Sequence, residues 1–587
     1  MAETNRSTAL KSGSSEYVDI DGFVKDFDED NAEWIDRMDS DYEIYTLKAY
    51  SLDKESSNVT SPEPRRYADK VIQTAEAAKM LVKVTTPETA PAKSKQGFDL
   101  SSDNEDESTK NKDKETAIER LLYGLFSIAD KQLRRDKVIY GRTVVSADIF
   151  HAAIRGSIVR RIILQKQNKE IYPDILPIDP RYFKYALDNK GLAKCAIETW
   201  RDPEAIKAEY DIDVDDVTYC VDYWDREKNI IQVGDQQFHQ AHGLGKPPFV
   251  FRPVGSSPII YTTDSKFENI SCFGESIFAA SRNLYGVKNK ILTIWLSLLE
   301  KSHKPSYFVF SPGGKAGLEE LPWGTNKMLY LPDTARAEMV KPPDIAMTAP
   351  QLYKIIDQEI QANDLSTIEY GLIAGSEYPS GKSMLALQEG KDSKITPILK
   401  ALAAVAEDTA EMLIEQYEKT GVKTTFRGYD SKGKLFYQEI KPTDVKKPWD
   451  VDIEFVSITP EQETQNIAKA QMLLSMGLPD EYVYENALQM QDPQKPIRQK
   501  YLQKLAETDP IIAKKLQHEA ALKEGHTDEA QKTEMDLMQM LKQYMEEKQK
   551  SQQPVLETDN LQSGQEQLGQ FTEQMPQIPE NNQGVQV

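Results

Sequence analysis

The chain has 587 residues, of which 39% are hydrophobic, and a formal net charge of -22 at pH 7; the length predicts ~3 to 4 domains, and the acidic balance argues against a simple nucleic-acid-binding domain, which carries the opposite charge. Cys195, Cys220 and Cys272 are scattered and odd in number, which excludes a disulfide scaffold and points to a reducing compartment. Residues 1–15 have no apolar signal-peptide core, and the longest apolar run, 291–299, contains Thr293 and Ser297 and falls far short of the ~20 residues of a membrane span, so the expectation is a soluble protein made in a cytoplasm.

In chain order, residues 1–15 read as unstructured. Over 18–50, Phe23, Phe27, Trp34, Tyr42, Tyr45 and Tyr50 alternate with acids at the spacing of short helices against a core. Residues 65–84 read as a helix with Val71, Ala75, Ala78 and Leu81 on one side. Residues 85–115 read as a linker: Pro87 and Pro91 precede an acidic run over 101–108 that buries no apolar surface, and a solvated insertion is preferred there to a metal or phosphorylation site. A helix begins at Thr116, with Ile118, Leu121, Leu122, Leu125, Phe126 and Ala129 on one face. Residues 157–164 read as a strand interrupted by Arg160 and Arg161, and Pro177 makes 174–180 an edge strand or extended loop. A short helix opens after Thr199-Trp200-Arg201-Asp202-Pro203 and ends near Tyr210; strands follow at 217–223, 229–233 and 249–253, which gives an α+β region.

Residues 274–303 read as one helix about 45 Å long at ~1.5 Å per residue. Ile277, Leu284, Ile291 and Leu298 recur every seven residues, Val287 and Ile294 lie beside them, and Trp295 and Leu299 widen the stripe. Arg282, Lys288, Lys290 and Lys301 share the helix. Lys304-Pro305 ends it. Strands are expected at 307–310, 327–331 and 338–340, with a turn at 311–314. From Pro350 a helical period returns through Leu352, Ile355, Ile356, Ile360, Leu365 and Ile368 and runs into a breaker-rich loop over 371–383. A helix over 384–418 is expected to kink at Pro397. A hairpin around 430–433, an alternating strand at 450–455 and a helical region from Thr459 follow, with Met535, Met538, Leu541 and Met545 marking a last amphipathic helix. Residues 551–587 are rich in Gln, Asn and Pro and read as disordered.

No motif carries chemistry. Gly375 and Gly381 precede Lys382-Ser383 as in a phosphate-binding loop, but five residues separate the glycines where the pattern needs four, Pro379 removes an N–H, and the preceding segment reads as helix, not strand. His239 and His242, with Cys220 nearby, read as loop residues without the second ligand pair a zinc site needs. No Ser/His/Asp or paired-carboxylate grouping stands out, so no catalysis, metal or cofactor is expected. The cations of the 274–303 helix are a weak nucleic-acid signal, with ion pairing or solvation the simpler use.

The order of these parts resembles the portal proteins of tailed bacteriophages. The likeness rests on the 174–210 passage with Ile178-Asp179-Pro180 and Thr199-Trp200, on Lys246-Pro247-Pro248-Phe249-Val250, on Phe273-Gly274-Glu275-Ser276, and on the helical passage 472–524. It implies an α+β subunit with an N-terminal wing region over 1–270, stem helices over 271–304 and 350–370, and a small α/β clip over 305–349. It further implies a channel loop over 371–383, a long wing helix and wing strands over 384–459 and a helical crown over 460–550. The expected function is a non-enzymatic ring of usually twelve subunits at one capsid vertex, through which double-stranded DNA is packaged and ejected. Expected partners are other copies of the chain, the terminase large subunit, a head–tail adaptor, and major capsid and scaffold proteins; no membrane is involved. The place is the virion, with host cytoplasm during assembly. An acidic wall fits such a channel, because basic phosphate contacts made by counterion release would hold moving DNA. The DNA-facing candidates are Ser376, Glu377, Tyr378, Pro379, Ser380, Gly381 and Lys382. The alternatives are a nucleotide-dependent enzyme using Lys382 and Ser383, and another virion connector.

Overall fold

A computed structural model describes residues 10–11, 17–53, 57–86, 103–136, 142–167, 170–257, 273–303, 307–310, 336–339, 348–364, 381–429, 435–456 and 460–488, with scattered positions between 497 and 542. Two compact units divide the chain, 1–458 and 459–587. Both lie in a mixed α+β chain with several small antiparallel sheets.

The first unit opens with strand β1 (Leu10–Lys11) and helices α1 (Ile20–Asp30), α2 (Ala32–Tyr45) and α3 (Glu63–Glu76). The expected 65–84 helix stops at Glu76, and its last six residues belong to strand β2 (Lys79–Thr85). Val82 and Val84 alternate inward with charged Lys83 between them, a period of two that tertiary pairing selects over the helical one. Helix α4 (Asp103–Asp136) takes in the acidic run expected to be linker, while 87–100 lie outside the described residues. The chain gains from this extension because Glu115 and Glu119 on α4 accept the Thr86 and Val84 N–H groups of the β2 edge. Ile118, Leu121, Leu122 and Leu125 are fully buried, as their spacing predicts.

Helix α5 (Val144–Arg155), which the sequence reading missed, leads into the sheet strands β3 (Ser157–Gln167), β4 (Glu170–Ile178), β5 (Phe183–Asp188) and β6 (Gly191–Arg201). Helix α6 (Pro203–Tyr210) and strands β7 (Thr218–Trp224), β8 (Lys228–Val233), β9 (Gln236–Ala241) and β10 (Phe249–Pro253) complete the region. One six-stranded sheet runs β1-β9-β8-β7-β6-β5, and a three-stranded sheet runs β10-β3-β4, where β4 with Pro177 is indeed an edge. Helix α1 lays Ile20 and Val24 on Ala196, Val221, Tyr223 and Ile230 of the six-stranded sheet. The opposite face packs Cys195, Ile197 and Trp224 against Val159 and Phe249 of the smaller sheet.

Helix α7 (Arg282–His303), strands β11 (Tyr307–Phe310) and β12 (Arg336–Met339), and helix α8 (Thr348–Asn363) follow. Helix α9 (Gly381–Thr420) holds Pro397 in its interior, and strands β13 (Thr424–Tyr429), β14 (Leu435–Ile440) and β15 (Asp450–Val456) end the unit. β15 pairs with β2, so residues 365 to 377 positions apart close one layer around a core of α3, α4, α5 and α9. In the second unit, helices α10 (Pro460–Ser475) and α11 (Asp480–Asn486) pack Ala470 against Val483 and Ala487, with positive-φ Gly477 between the helices.

Candidate functional site

The part of the molecule with the least obvious use inside a monomer is the α7–β11–β12–α8 excursion. Helix α7 begins at Arg282, not at Gly274 as the heptad spacing predicts. The eight residues before it are shaped by a backbone contact. Gly274 has φ +101° and an added Cβ would sit 2.0 Å from the Gly156 carbonyl oxygen, while Gly156, at φ +75°, would place a Cβ 2.7 Å from the Glu275 carbonyl carbon. Only glycine fits either position. The junction is pinned further by Glu275 N–H to the Val254 carbonyl and Ile277 N–H to the Ala153 carbonyl, each a backbone bond.

Three faces of α7 do different work. Its inward face meets α8, where Trp295 and Tyr353 pack with ring centroids 5.3 Å apart. Tyr285 and Lys288 are buried on the same side. Lys288 Nζ donates to Glu63 and, at 2.5 Å, to Asp357 of α8. Those bonds hold its ammonium above the ordinary range against the pull of burial. Tyr285 donates its hydroxyl to Asp364 at 2.6 Å, and Ser281 donates to the other carboxylate oxygen at 3.0 Å. Burial pushes the Asp364 carboxyl up to about 6 despite these donors.

A second face is polar and repeats every four residues: Asn289, Thr293 and Ser297. It accepts the backbone N–H groups of Ser61, Val59 and Ser57 at 2.9, 3.0 and 3.2 Å. Residues 57–61 are thereby strapped along the helix. This stripe is visible in the sequence as three small polar residues at helical spacing, and the apolar reading passed over it.

The third face looks outward. Val287 and Ile294, expected beside the buried stripe, are 43% and 37% exposed; Leu299, 54% exposed, lies at the helix end on the side of Lys288. On α8, Leu352 and Ile355 are 50% and 55% exposed. Between the helices, β11 and β12 pair from Tyr307↔Met339 to Phe310↔Arg336, and Phe310 is exposed. The expected 327–331 strand lies outside the described residues.

Arg282 forms a two-point ion pair with buried Asp41 of α2, at 2.6 and 2.8 Å, and Ser276 donates to the same carboxylate. Lys288 is bound as above, and Lys290 is exposed. Lys301 lies in the last turn of α7, and its side chain is outside the described residues. Ser376, Glu377, Tyr378, Pro379 and Ser380 are outside them as well. Gly381 and Lys382 start α9, so the helix begins earlier than expected and its first turn takes residues assigned to the loop. His239 lies in β9, not in a loop, and His242 Nε2 meets the Asp225 carbonyl at 3.0 Å. Cys220 is buried against Ile206 and Val233. No group of three or more His, Cys, Asp or Glu residues suited to a metal ion occurs among the described residues, and none of their helices is long and apolar enough to cross a membrane.

No protein-family model matches the chain, and no curated protein matches it. Solved structures show distant similarity. The virion of a native gene transfer agent particle contains a chain 10% identical, with a TM-score of 0.36, covering 73% of this chain and 89% of that one. The neck of the empty particle computed with C6 symmetry gives 10% identity, a TM-score of 0.35, and coverage of 72% and 92%. The neck of the native particle computed with C12 symmetry gives 11% identity, a TM-score of 0.32, and coverage of 64% and 89%. These scores mark a similarity too loose to fix a shared fold.

Proposed function

We propose that the chain is a ring-forming portal subunit of a phage-type particle, without enzymatic activity. The observation that carries this reading is the α7–α8 excursion: a pair of packed helices with a small two-stranded sheet between them, and exposed Val287, Ile294, Leu352 and Ile355 that a monomer leaves in water. Exposed apolar side chains gathered on one helix pair are a mark of an interaction surface. In a closed ring each copy covers these side chains of its neighbour. On this reading α7 and α8 are the stem, residues 305–349 the clip on which a terminase large subunit and then an adaptor dock, and 371–383 the channel loop. Ser376, Glu377, Tyr378, Pro379, Ser380, Gly381 and Lys382 then face double-stranded DNA. Capsid and scaffold proteins contact the outer parts of the ring.

Electron microscopy of the purified full-length chain, with mass by light scattering, tests the reading. Rings with an axial hole, lost in an Ile294→Asp/Ile355→Asp variant whose monomer still folds, are the expected result. A folded monomer at all concentrations, with and without scaffold protein, refutes it. Deleting 376–381 is expected to leave rings intact and to impair packaging or genome retention; normal DNA-filled heads would remove the loop from the proposal.

A further inference from the structure

Helix α1 covers only part of its sheet face. Beyond it the same face shows Trp200, 55% exposed, directly opposite Tyr219 in the β6–β7 register. The two rings lie 5.7 Å apart, and Tyr182 packs edge-on to Trp200 at 5.4 Å, so three aromatics form one shelf. Tyr219 is held in place: it donates its hydroxyl to Glu198 at 2.8 Å, and Glu198 also meets the buried Lys184 ammonium.

Tyr219 is shared with a groove of about 450 Å³ between the helix and the sheet, lined also by Asp21, Val24, Lys25, Asp28 and Glu29. Asp21 is held by two bonds from Gln232 Nε2, each 2.9 Å, and Asp28 accepts from Lys184, so both carboxylates are fixed in place. Lys25 reaches Glu29 at 3.6 Å across exposed surface, with side chains 74% and 69% exposed. Along the helix as a whole, Asp21, Asp26, Asp28, Glu29 and Asp30 stand against Lys25 alone.

We infer that the α1 groove and the Trp200 shelf together bind an extended lysine- or arginine-bearing segment of a partner protein. The charges select a cation, and the aromatic shelf binds its aliphatic stem and stacks on its head group. An exposed tryptophan backed by two tyrosines is the residue type that dominates binding energy at protein interfaces. Anionic partners, nucleic acid included, are repelled by the same carboxylates.

The test uses the full-length chain and a fluorescein-labelled peptide of six Lys-Ala repeats, with six Glu-Ala repeats as control, followed by anisotropy at low salt. The lysine peptide binds and the glutamate peptide does not. Trp200→Ala weakens binding at least about tenfold, as truncation of a central interface aromatic does. Glu29→Lys, at an exposed position that leaves the fold alone, weakens it in the same direction, while Asp452→Lys on the remote exposed face of β15 does not. The inference is overturned if the lysine peptide does not bind or if Trp200→Ala binds it normally. It is equally overturned if Asp452→Lys costs as much as Glu29→Lys, which would reduce the effect to overall charge. Should Trp200→Ala fail to fold, the two charge reversals decide.

Discussion

Replacing Thr293 by Val removes one oxygen and leaves the shape of α7 almost unchanged. Thr293 is fully buried in the middle of the helix, and its Oγ1 accepts the Val59 N–H at 3.0 Å. Valine fills the same volume and has a similar helix propensity, so packing and propensity nearly cancel. What remains is a part-buried amide without a partner, which costs about 1–3 kcal/mol. The flanking bonds are less protected: Ser57 N–H reaches Ser297 at 3.2 Å nearer the helix end, and Ser57 also touches exposed Glu300. Ser297→Ala is therefore expected to cost no more than about 1 kcal/mol. Thr293→Ser supplies the control. It loses a buried methyl, worth about 1 kcal/mol, but keeps the acceptor. Guanidinium unfolding gives the energies, and amide hydrogen exchange at Val59 separates the mechanisms. Protection at Val59 falls in Thr293→Val and persists in Thr293→Ser. A Thr293→Val protein within 0.5 kcal/mol of wild type, with Val59 protection unchanged, refutes the account of the strap.

Three further outcomes follow from buried groups and one open glycine. Arg160 and Asp148 are 1% and 0% exposed and paired at 2.5 Å, so Arg160→Met is expected to destabilise by about 3 kcal/mol or more in guanidinium unfolding; adding Asp148→Asn recovers part of the loss, and equal single and double variants would refute the pairing. The Asp364 carboxyl lies at about 6 in the fold against an ordinary 3.8, so its proton is favoured in the folded state. Its effect is to lower stability as pH rises from about 4 to about 6, with no further change above. Asp364→Asn flattens that segment of a Tm-against-pH curve; an unchanged slope means another group titrates. An added Cβ at Gly286 in α7 meets nothing within 4 Å, so Gly286→Ala stabilises by about 1 kcal/mol, and a fall in Tm would reveal a close contact at that face.

The long apolar periods were legible. The α4 stripe, the edge character of β4 at Pro177 and the strict alternation of β15 all follow from spacing alone. The failures have physical causes. Strand β2 continues α3 in composition, and only its β15 partner, far along the chain, decides between periods of two and 3.6. Strands β5 and β6 carry Lys184 and Lys194 where a core would be expected, because Lys184 is buried with Asp28 and Glu198 as counter-ions that sequence cannot place. At the candidate site, the two helices and the β11 strand were readable, whereas the helix start was not: Gly274 is fixed by a contact with Gly156, 118 residues earlier. The ion pairs of Arg282 and Lys288 were equally hidden, since Asp41 and Glu63 come from the N-terminal helices.

The strap along α7 also has a history in time. Residues 57, 59 and 61 bond to partners 240, 234 and 228 positions downstream, and Asp41 waits 241 positions for Arg282. At ~5–20 residues per second of synthesis, the N-terminal helices stand on the ribosome for roughly 10 to 50 seconds before α7 exists to receive them. During that interval the three amides and the Asp41 carboxylate lack the partners that α7 supplies. The 57–61 segment thus takes its final place late among the parts made first, and a chain terminated before Arg282 can still lay α1 on its sheet and bond α2 to Arg155 of α5 but has no helix to receive the strap.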